Sequence, residues 1–282
     1  MGGDPVEPGD YAATVHLRFN NGQCTGTLLT PRLVLTAAHC FQDSSLQASQ
    51  ISVSLGDSQS EADQTLTGSR FAANPAWCNP ITNPDTCDVE LGFEDYAWVE
   101  LDGAFDIDPA ALPRVLDDDT EHHQLVRVGA SVDLVGFGED DQFQLDAKRV
   151  VTTTITSIVD SGLRLSMGGD GLDSCRGDSG GPAFARRADG SLALVGVLSA
   201  GSQMCGEGGV YGAPLPMLCW IRDDSGIDVT PDGCGDCDCV DIRPRTEEEA
   251  CRCTTGVGMT PTAWWLLALI GVGRRRNRAV SA

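Results

Sequence analysis

Basic and aromatic side chains are scarce in this chain of 282 residues. Lys and Arg number 19 against 41 Asp and Glu, which gives a net charge of −22, and aromatic residues make up only 6%. A surface this acidic repels nucleic acid phosphates, so a nucleic-acid partner is not expected. The charge is most simply explained by solubility, with attraction of basic substrates as a compatible alternative.

A recognisable export signal is also missing, although cysteine is abundant. Residues 1–10 read MGGDPVEPGD and contain neither a basic start nor an apolar run. The 12 cysteines, an even and high number, indicate disulfides and an oxidising compartment, which conflicts with the missing signal. Hydrophobic residues make up 41% of the chain, which permits a buried core and excludes a disordered protein.

Short segments rich in Val, Thr, Ile and Leu run through residues 11–222, separated by Gly, Pro, Asn and Asp turns. Several alternate with a period of two, which is typical of half-buried strands. The pattern predicts an all-β barrel or sandwich, with a short closing helix at residues 214–222. The predicted strands cover residues 11–19, 24–30, 51–55, 96–101, 131–137, 149–159, 163–167 and 192–199.

The composition changes near residue 223. Residues 223–253 are acidic and rich in cysteine, so we expect a linker or a small stapled module, with disulfides favoured over a zinc site. Residues 254–273 carry no charge and precede an arginine cluster, which predicts a borderline membrane-spanning helix; a buried terminal helix is the alternative. The residues concerned are Cys234, Cys237, Cys239, Cys251 and Cys253, then Arg274, Arg275, Arg276 and Arg278.

Three separated segments carry residues suited to amide hydrolysis by a serine. Residues 35–40 read LTAAHC and contain His39, residues 94–101 read EDYAWVEL and contain Asp95, and residues 173–182 read DSCRGDSGGP and contain Ser179. A serine hydroxyl needs a His to take its proton, and that His needs a buried carboxylate to fix its tautomer. Glycines around Ser179 allow a tight turn whose N–H groups can bind an oxyanion.

His39, Asp95 and Ser179 follow one another in that order along the chain, and the segments TAAHC and GDSGGP resemble the motifs of the chymotrypsin/trypsin family of serine proteases. This family is the reference case for the triad mechanism. The resemblance covers residues 2–222. It implies an all-β fold of two perpendicular six-stranded antiparallel β-barrels, at residues 1–115 and 116–222, with a short C-terminal helix. The Cys-rich linker (223–253) and the apolar tail helix with its arginines (254–282) lie outside the resemblance.

The resemblance also implies a role for each matching residue. His39 would be the general base, Asp95 its orienting partner and Ser179 the nucleophile. The backbone N–H groups of Gly177 and Ser179 would form the oxyanion hole, and Ser199 would support the Asp95 carboxylate. The function implied is that of a serine endopeptidase, a monomer that cuts proteins or peptides through an acyl-enzyme intermediate, with no cofactor or metal.

Asp173 matches the Asp at the bottom of the primary specificity pocket in trypsin-like members. A buried carboxylate there would bind the basic side chain of a substrate, so we expect cleavage after Arg or Lys. Gly201 and Gly209 match the small residues that leave this pocket open. The family usually has an aromatic residue where this chain has Ala200, so one wall is expected to be more open. The alternative is that Asp173 is one more surface acid.

Disulfides are implied by the same comparison. The pairs are Cys24 with Cys40 and Cys175 with Cys205, and a local bridge between Cys78 and Cys87 is also expected. Cys219 and the tail cysteines are left without an assigned partner.

The N-terminus departs from the family pattern. Family members are normally made as inactive precursors, whose cleavage frees an Ile-Val-Gly-Gly terminus that pairs with the Asp beside the nucleophile, here Asp178. Met1 stands at the second residue of that motif. We therefore expect the reading frame to extend upstream through an Ile or Val, a propeptide and a signal peptide.

The tail resembles C-terminal sorting signals of myxobacteria-type surface proteins: a cysteine motif at Cys251 or Cys253, an apolar helix and an arginine cluster. This resemblance implies an exported protease, found at the cell surface or secreted, transiently anchored to the membrane by its tail. Four arginines after the helix predict a cytoplasmic C-terminus.

Two other functions fit parts of the pattern. An inactive protease fold could serve as a binding module, but the complete set of His39, Asp95 and Ser179 argues against it. An esterase with Gly-x-Ser-x-Gly chemistry fits residues 177–181, but its serine belongs between a strand and a helix, with the His last in the chain.

Overall fold

The computed structural model describes residues 1–20, 22–77, 94–159, 163–202, 204–232, 234 and 237. The predictions for residues 238–282 lie outside the described residues. Among the helices of the described part, none is long and apolar enough to span a membrane.

The first barrel is closed by six antiparallel strands in the order β2-β3-β4-β7-β6-β5. Its interior is apolar: Leu17, Leu28 and Leu101 are fully buried, and Ile51–Leu55 alternates buried with half-buried residues as a half-buried strand should. The strands of this half of the chain are β1 (Asp4–Pro5), β2 (Thr14–Phe19), β3 (Gly22–Thr30), β4 (Leu33–Thr36), β5 (Ile51–Leu55), β6 (Gln64–Ala73) and β7 (Ala97–Leu101).

The second barrel is also closed. Six of its strands pair in the order β9-β10-β11-β14-β13-β12 and return to β9, while β1 crosses over to pair with β10 and β8 lies parallel to β13. The two-barrel expectation is therefore confirmed. These strands are β8 (Arg114–Val115), β9 (Ser131–Gly136), β10 (Arg149–Val159), β11 (Arg164–Met167), β12 (Pro182–Arg186), β13 (Leu192–Gly201) and β14 (Gly209–Gly212).

Helices are short and lie outside the barrels. The closing helix is confirmed: a 3-10 turn at Leu215–Met217 runs into α2 (Leu218–Ser225), which ends at Gly226 with φ of 75°. The sequence did not predict α1 (Asp119–Leu125), which begins where the Asp118 side chain accepts a hydrogen bond from Glu121 N. Further 3-10 turns cover Ala38–Phe41, Ala48–Gln50 and Pro109–Ala111.

An apolar cluster joins side chains from both barrels and from α2. Trp98 of the first barrel, Phe184 of the second, and Leu218 and Ile221 of α2 are buried in it. Each such side chain contributes about 1.5–3 kcal/mol by leaving water. The helix is further tied to the first barrel, because the Trp98 indole donates to Asp224 Oδ2 at 3.0 Å. These contacts hold the two barrels against each other, so side chains from different barrels can form one site with a defined geometry.

Candidate active site

His39 lies in the 3-10 turn that follows β4. The residues around it are held inside the first barrel, since Ala37 and Ala38 are fully buried and Cys40 is bridged to Cys24 of β3. The His39 side chain itself remains 23% exposed. The His39 imidazole is thus partly exposed to solvent, while the residues on either side of it are buried.

Asp95 precedes β7 and holds His39 at two points. Its Oδ1 accepts the His39 backbone N–H at 2.8 Å, and its Oδ2 lies 2.6 Å from His39 Nδ1. Oδ2 also accepts the Ser199 hydroxyl at 2.7 Å, and the Asp95 side chain is only 4% exposed. Because an ionised carboxylate can only accept, Nδ1 carries the proton and Nε2 is left as an acceptor.

The turn that carries Ser179 packs against the first barrel beside His39. The Ser179 carbonyl accepts Thr25 N at 2.9 Å and lies 3.9 Å from the sulfur of Cys40, the residue after His39. The approach is close enough to require glycine: Gly180 has a φ of 76°, and a Cβ there would lie 2.0 Å from Thr36 Oγ1. The structure thus brings Ser179 to the His39 segment.

The backbone N–H groups of Gly177 and Ser179 have no protein acceptor among the described residues. The carbonyl of Arg176 accepts Glu139 N at 2.9 Å, and N–H and C=O of a trans peptide point in opposite directions. The Gly177 N–H therefore points away from Glu139. Gly177 has a φ of 100°, a conformation that glycine adopts without strain.

Asp178 is buried among main-chain donors. Its carboxylate accepts Gly138 N at 2.7 Å and Cys175 N at 2.8 Å. Burial raises the pKa of Asp178 above its ordinary value, although these two hydrogen bonds act in the opposite direction. The Met1 ammonium donates to the carbonyl of Asp173 at 2.6 Å. The described residues thus bring Met1 to this region, with its hydrogen bond to Asp173 rather than to Asp178.

Asp173 is almost completely buried, with 2% of its surface exposed. Its carboxylate accepts Ser174 N at 2.8 Å, Gly208 N at 2.8 Å and Gly206 N at 3.2 Å. No Lys, Arg or His in the described ranges forms an ion pair with it. The alternative that Asp173 is a surface acid is therefore wrong, because the side chain is internal.

Gly201 of β13 and Gly209 of β14 are directly paired, and Gly208, which precedes Gly209, donates its N–H to the Asp173 carboxylate. A Cβ at Gly209 would lie 3.2 Å from Ser174 Oγ. Because glycine has no Cβ, the space beside Ser174, the neighbour of Asp173, stays open. A Cβ at Gly201 would meet nothing within 4 Å, and Ala200 is exposed. The strand edge is consequently open on this side.

The disulfides Cys24–Cys40 and Cys175–Cys205 are both present. The first braces the His39 segment, and the second joins the residue two positions after Asp173 to the loop between β13 and β14. A third bridge, Cys219–Cys237, ties α2 to the segment that follows it; the spacing of the cysteines gave no means of finding this pair. Cys78 and Cys87 lie outside the described residues.

Thr25 is a site residue that the sequence did not single out. Its hydroxyl donates to the Gly177 carbonyl at 3.0 Å, although the two residues are far apart in the chain. A threonine within a strand is ordinary, so no local pattern distinguishes it.

Comparisons with known proteins agree with this geometry. The family described as Trypsin matches residues 1–220. The chain belongs to the trypsin family. CLIP domain-containing serine protease B15 of Anopheles gambiae is 28% identical over 261 residues, which cover 78% of this chain and 68% of that protein. Phenoloxidase-activating factor 3 of Holotrichia diomphalia is 27% identical over 260 residues, covering 79% of this chain and 72% of that protein.

A third relative is much longer than this chain. Transmembrane protease serine 9 of Rattus norvegicus is 28% identical over 253 residues, which cover 82% of this chain but only 22% of that protein. The family match and these relatives make this trypsin-family chain a serine endopeptidase whose substrates are proteins or peptides.

Proposed function

We propose that this endopeptidase uses His39, Asp95 and Ser179 as its catalytic triad and cuts after Arg or Lys. The observation that supports the triad most strongly is the set of hydrogen bonds at the Asp95 carboxylate. It accepts the backbone N–H of His39, the ring Nδ1–H of His39 and the Ser199 hydroxyl. A carboxylate with these partners holds the imidazole in the tautomer that leaves Nε2 free to take a proton.

In the proposed mechanism the Ser179 hydroxyl gives its proton to His39 Nε2 as its oxygen attacks the substrate carbonyl carbon. The N–H groups of Gly177 and Ser179 bind the oxyanion that forms. His39 then gives the proton to the leaving amine, and the acyl group stays on Ser179. A water then gives a proton to His39 as its oxygen attacks the acyl carbon. The ester bond to Ser179 breaks, and His39 returns that proton to the Ser179 oxygen, which frees the acid product and restores the hydroxyl.

The proposed preference for Arg or Lys rests on Asp173. Its carboxylate is buried, is solvated only by backbone N–H groups and the neighbouring Ser174, and has no cationic partner in the described structure. A buried charge in this state is stabilised by an incoming cation. The net charge of −22 also attracts basic substrates over longer distances.

A panel of short chromogenic peptides that differ only in the residue before the scissile bond tests this function. We expect kcat/KM to be largest for Arg and Lys, and Ser179→Ala to abolish cleavage of every peptide. Equal cleavage by Ser179→Ala would contradict the triad, whereas a preference for Phe, Leu or Ala would contradict only the specificity.

For the tail we propose export and transient anchoring by residues 254–282. Support comes from the disulfides, which fit an oxidising compartment, and from the uncharged run of 20 residues at positions 254–273 that ends in an arginine cluster. The proposed boundary after residue 222 stays a prediction; Ile227 and Val229 pack on the apolar cluster and Cys237 is bonded to Cys219.

A chain truncated after residue 240 therefore tests the anchor without breaking that disulfide. We expect it to keep full activity and the same melting temperature but to leave the membrane fraction. A large loss of stability would instead indicate that the tail packs on the protease domain. Fractionation of the full chain with the soluble proteins, uncut, would contradict the anchor.

A further inference from the structure

Thr25 of the first barrel makes two contacts with residues 177–180 of the second barrel, the turn that carries Ser179 and is called the nucleophile turn below. Its hydroxyl donates to the Gly177 carbonyl at 3.0 Å, and its backbone N–H donates to the Ser179 carbonyl at 2.9 Å. The same hydroxyl oxygen accepts Phe137 N at 3.2 Å, and Thr25 is fully buried. One residue thus holds both of the residues proposed to supply the oxyanion donors.

The four peptide carbonyls from residue 176 to 179 each have one donor. Those of Arg176 and Asp178 are held by Glu139 N and Gly181 N, within or near the second barrel itself. The other two are held by Thr25, and only the Gly177 carbonyl depends on a side chain. The N–H of the peptide after Gly177, that of Asp178, donates to the Cys175 carbonyl at 3.0 Å, so the Thr25 hydroxyl is the restraint on the carbonyl end of a peptide that follows a flexible glycine.

The surroundings fit the Thr25 side chain closely. A Cβ at Gly136 would lie 3.2 Å from Thr25 Oγ1, and one at Gly181 would lie 3.1 Å from its Cγ2 methyl group. The Thr25 carbonyl is in turn bound by the Thr36 hydroxyl at 2.9 Å. Thr25 is therefore itself fixed in place, in a space that two glycines leave for it.

We propose that Thr25 is a positioning residue for the oxyanion hole: its hydroxyl holds the Gly177–Asp178 peptide, which joins the two peptides that carry the Gly177 and Ser179 N–H groups, and thereby helps to set the direction of both. This inference rests on the roles proposed above for Gly177 and Ser179. It assigns part of the oxyanion hole of the second barrel to a side chain of the first.

The test compares variants that differ by one hydroxyl. Thr25→Val keeps the shape of the side chain but leaves the Gly177 carbonyl without its donor. We expect kcat to fall about 10- to 100-fold, as displacement of a catalytic group by an ångström can cause, while KM changes little because ground-state binding does not use the oxyanion donors. Thr25→Ser retains the hydroxyl and is expected to recover most of the activity.

Thr27→Val is the matched control. Thr27 lies on the same strand, is also fully buried, and its hydroxyl has no hydrogen-bond partner in the described structure. The loss of a hydroxyl there should leave kcat unchanged. If Thr25→Val and Thr27→Val have the same kcat, the positioning role is overturned.

A second measurement separates positioning from folding stability. A peptide boronate forms a tetrahedral adduct that needs the oxyanion donors, so its affinity should fall in Thr25→Val by the same factor as kcat. Unchanged boronate affinity with a lower melting temperature would reduce Thr25 to a structural residue. Should Thr25→Val fail to fold, the pair Thr25→Ser and Thr25→Ala decides, since equal activity of that pair also overturns the role.

The same series distinguishes this inference from the proposed function. An unsubstituted protein without activity, or one matched by Ser179→Ala, would contradict the triad itself. An active protein whose Thr25 variants are also fully active would contradict only the role of Thr25.

Discussion

In the first barrel His39 and Asp95 are joined by side-chain hydrogen bonds, whereas the Ser179 turn of the second barrel is held through its main chain. The His39 segment has ordinary backbone conformations and a buried carboxylate for support. The turn contains Gly177 and Gly180 with positive φ and takes two of its anchors from Thr25, in the other barrel. The proposed base is therefore preorganised largely within one barrel, and the turn of the proposed nucleophile only once both barrels are in contact.

The two buried carboxylates Asp95 and Asp173 differ in the kind of group that binds them. Asp95 is bound by an imidazole and a hydroxyl, so its charge already has a partner that can become cationic. Asp173 is bound by backbone N–H groups and Ser174, and no cation in the described residues pairs with it. The first arrangement suits a proton-transfer site and the second a site for a basic ligand.

The largest expected effect falls on the residues where the two barrels meet. Ser179→Ala and His39→Ala should each lower kcat by about 10⁴- to 10⁶-fold, and the double variant should be no worse than either single one, because the two groups act as a unit. Steady-state kinetics on one chromogenic peptide measures this. Losses that multiply in the double variant would show that His39 and Ser179 act independently.

A smaller effect is expected from Asp173→Ser. Removal of the buried charge should lower kcat/KM for peptides with Arg or Lys by about 10²- to 10³-fold, as loss of one partner of a buried ion pair does. Cleavage of Ala or Leu peptides serves as the control and should change little. A uniform loss on all peptides would mean that Asp173 supports the fold rather than the substrate.

A comparison of two glycines tests how strongly the nucleophile turn depends on the first barrel. At Gly180 a Cβ would meet Thr36 Oγ1 at 2.0 Å, whereas at Gly190, also with positive φ, it would meet nothing within 4 Å. Gly190→Ala should cost about 1–2 kcal/mol of unfolding free energy from backbone strain alone. Gly180→Ala should cost about 2–5 kcal/mol, because overpacking adds to that strain.

Urea unfolding of both glycine variants measures these costs, and amidase activity should be lost in Gly180→Ala alone. Equal stability and equal activity of the two variants would show that the barrel contact at Gly180 is unimportant.

The smallest effect concerns a contact between a loop of the first barrel, which carries Ser58 and Ser60, and a loop of the second, which carries Asp146. Hydrogen bonds from the side chain and backbone N–H of Ser60 lower the pKa of Asp146 below its ordinary value. A carboxylate with a lowered pKa stabilises the fold above its unfolded pKa, and this contribution is lost as the pH falls through the folded value.

Asp146→Asn should therefore lower the melting temperature by about 2 °C at pH 7, since exposed charges contribute little, and should have no effect near pH 2. The difference between the two proteins at the two pH values is the measurement. A difference that persists at pH 2 would assign the effect to packing rather than to charge.

The sequence predicted those parts of the molecule that follow from periodicity and from motif. The strands Ile51–Leu55 and Arg149–Val159 were predicted to the residue, and Asp173 was correctly expected to be internal. The strand Gln64–Ala73 was missed because its polar residues give no alternation, and α1 because its charged sequence lacks a helical apolar stripe.

Other features could not be predicted, because they depend on distances that only the folded chain defines. The role proposed for Thr25 depends on its contact with Gly177, which is separated from it by more than half the length of the chain. The Cys219–Cys237 pair depends on how the segment after α2 returns to the helix, and cysteine counts alone leave many pairings open.

The most direct test of the central claim, that Ser179 is a nucleophile activated by His39, is labelling with a fluorophosphonate followed by peptide mapping in a mass spectrometer. We expect the phosphonyl group on Ser179 alone, no labelling of Ser179→Ala, and labelling of His39→Ala slowed by about 10²- to 10⁴-fold through loss of general base catalysis. Modification of another residue, or a labelling rate that His39→Ala leaves unchanged, would contradict the account.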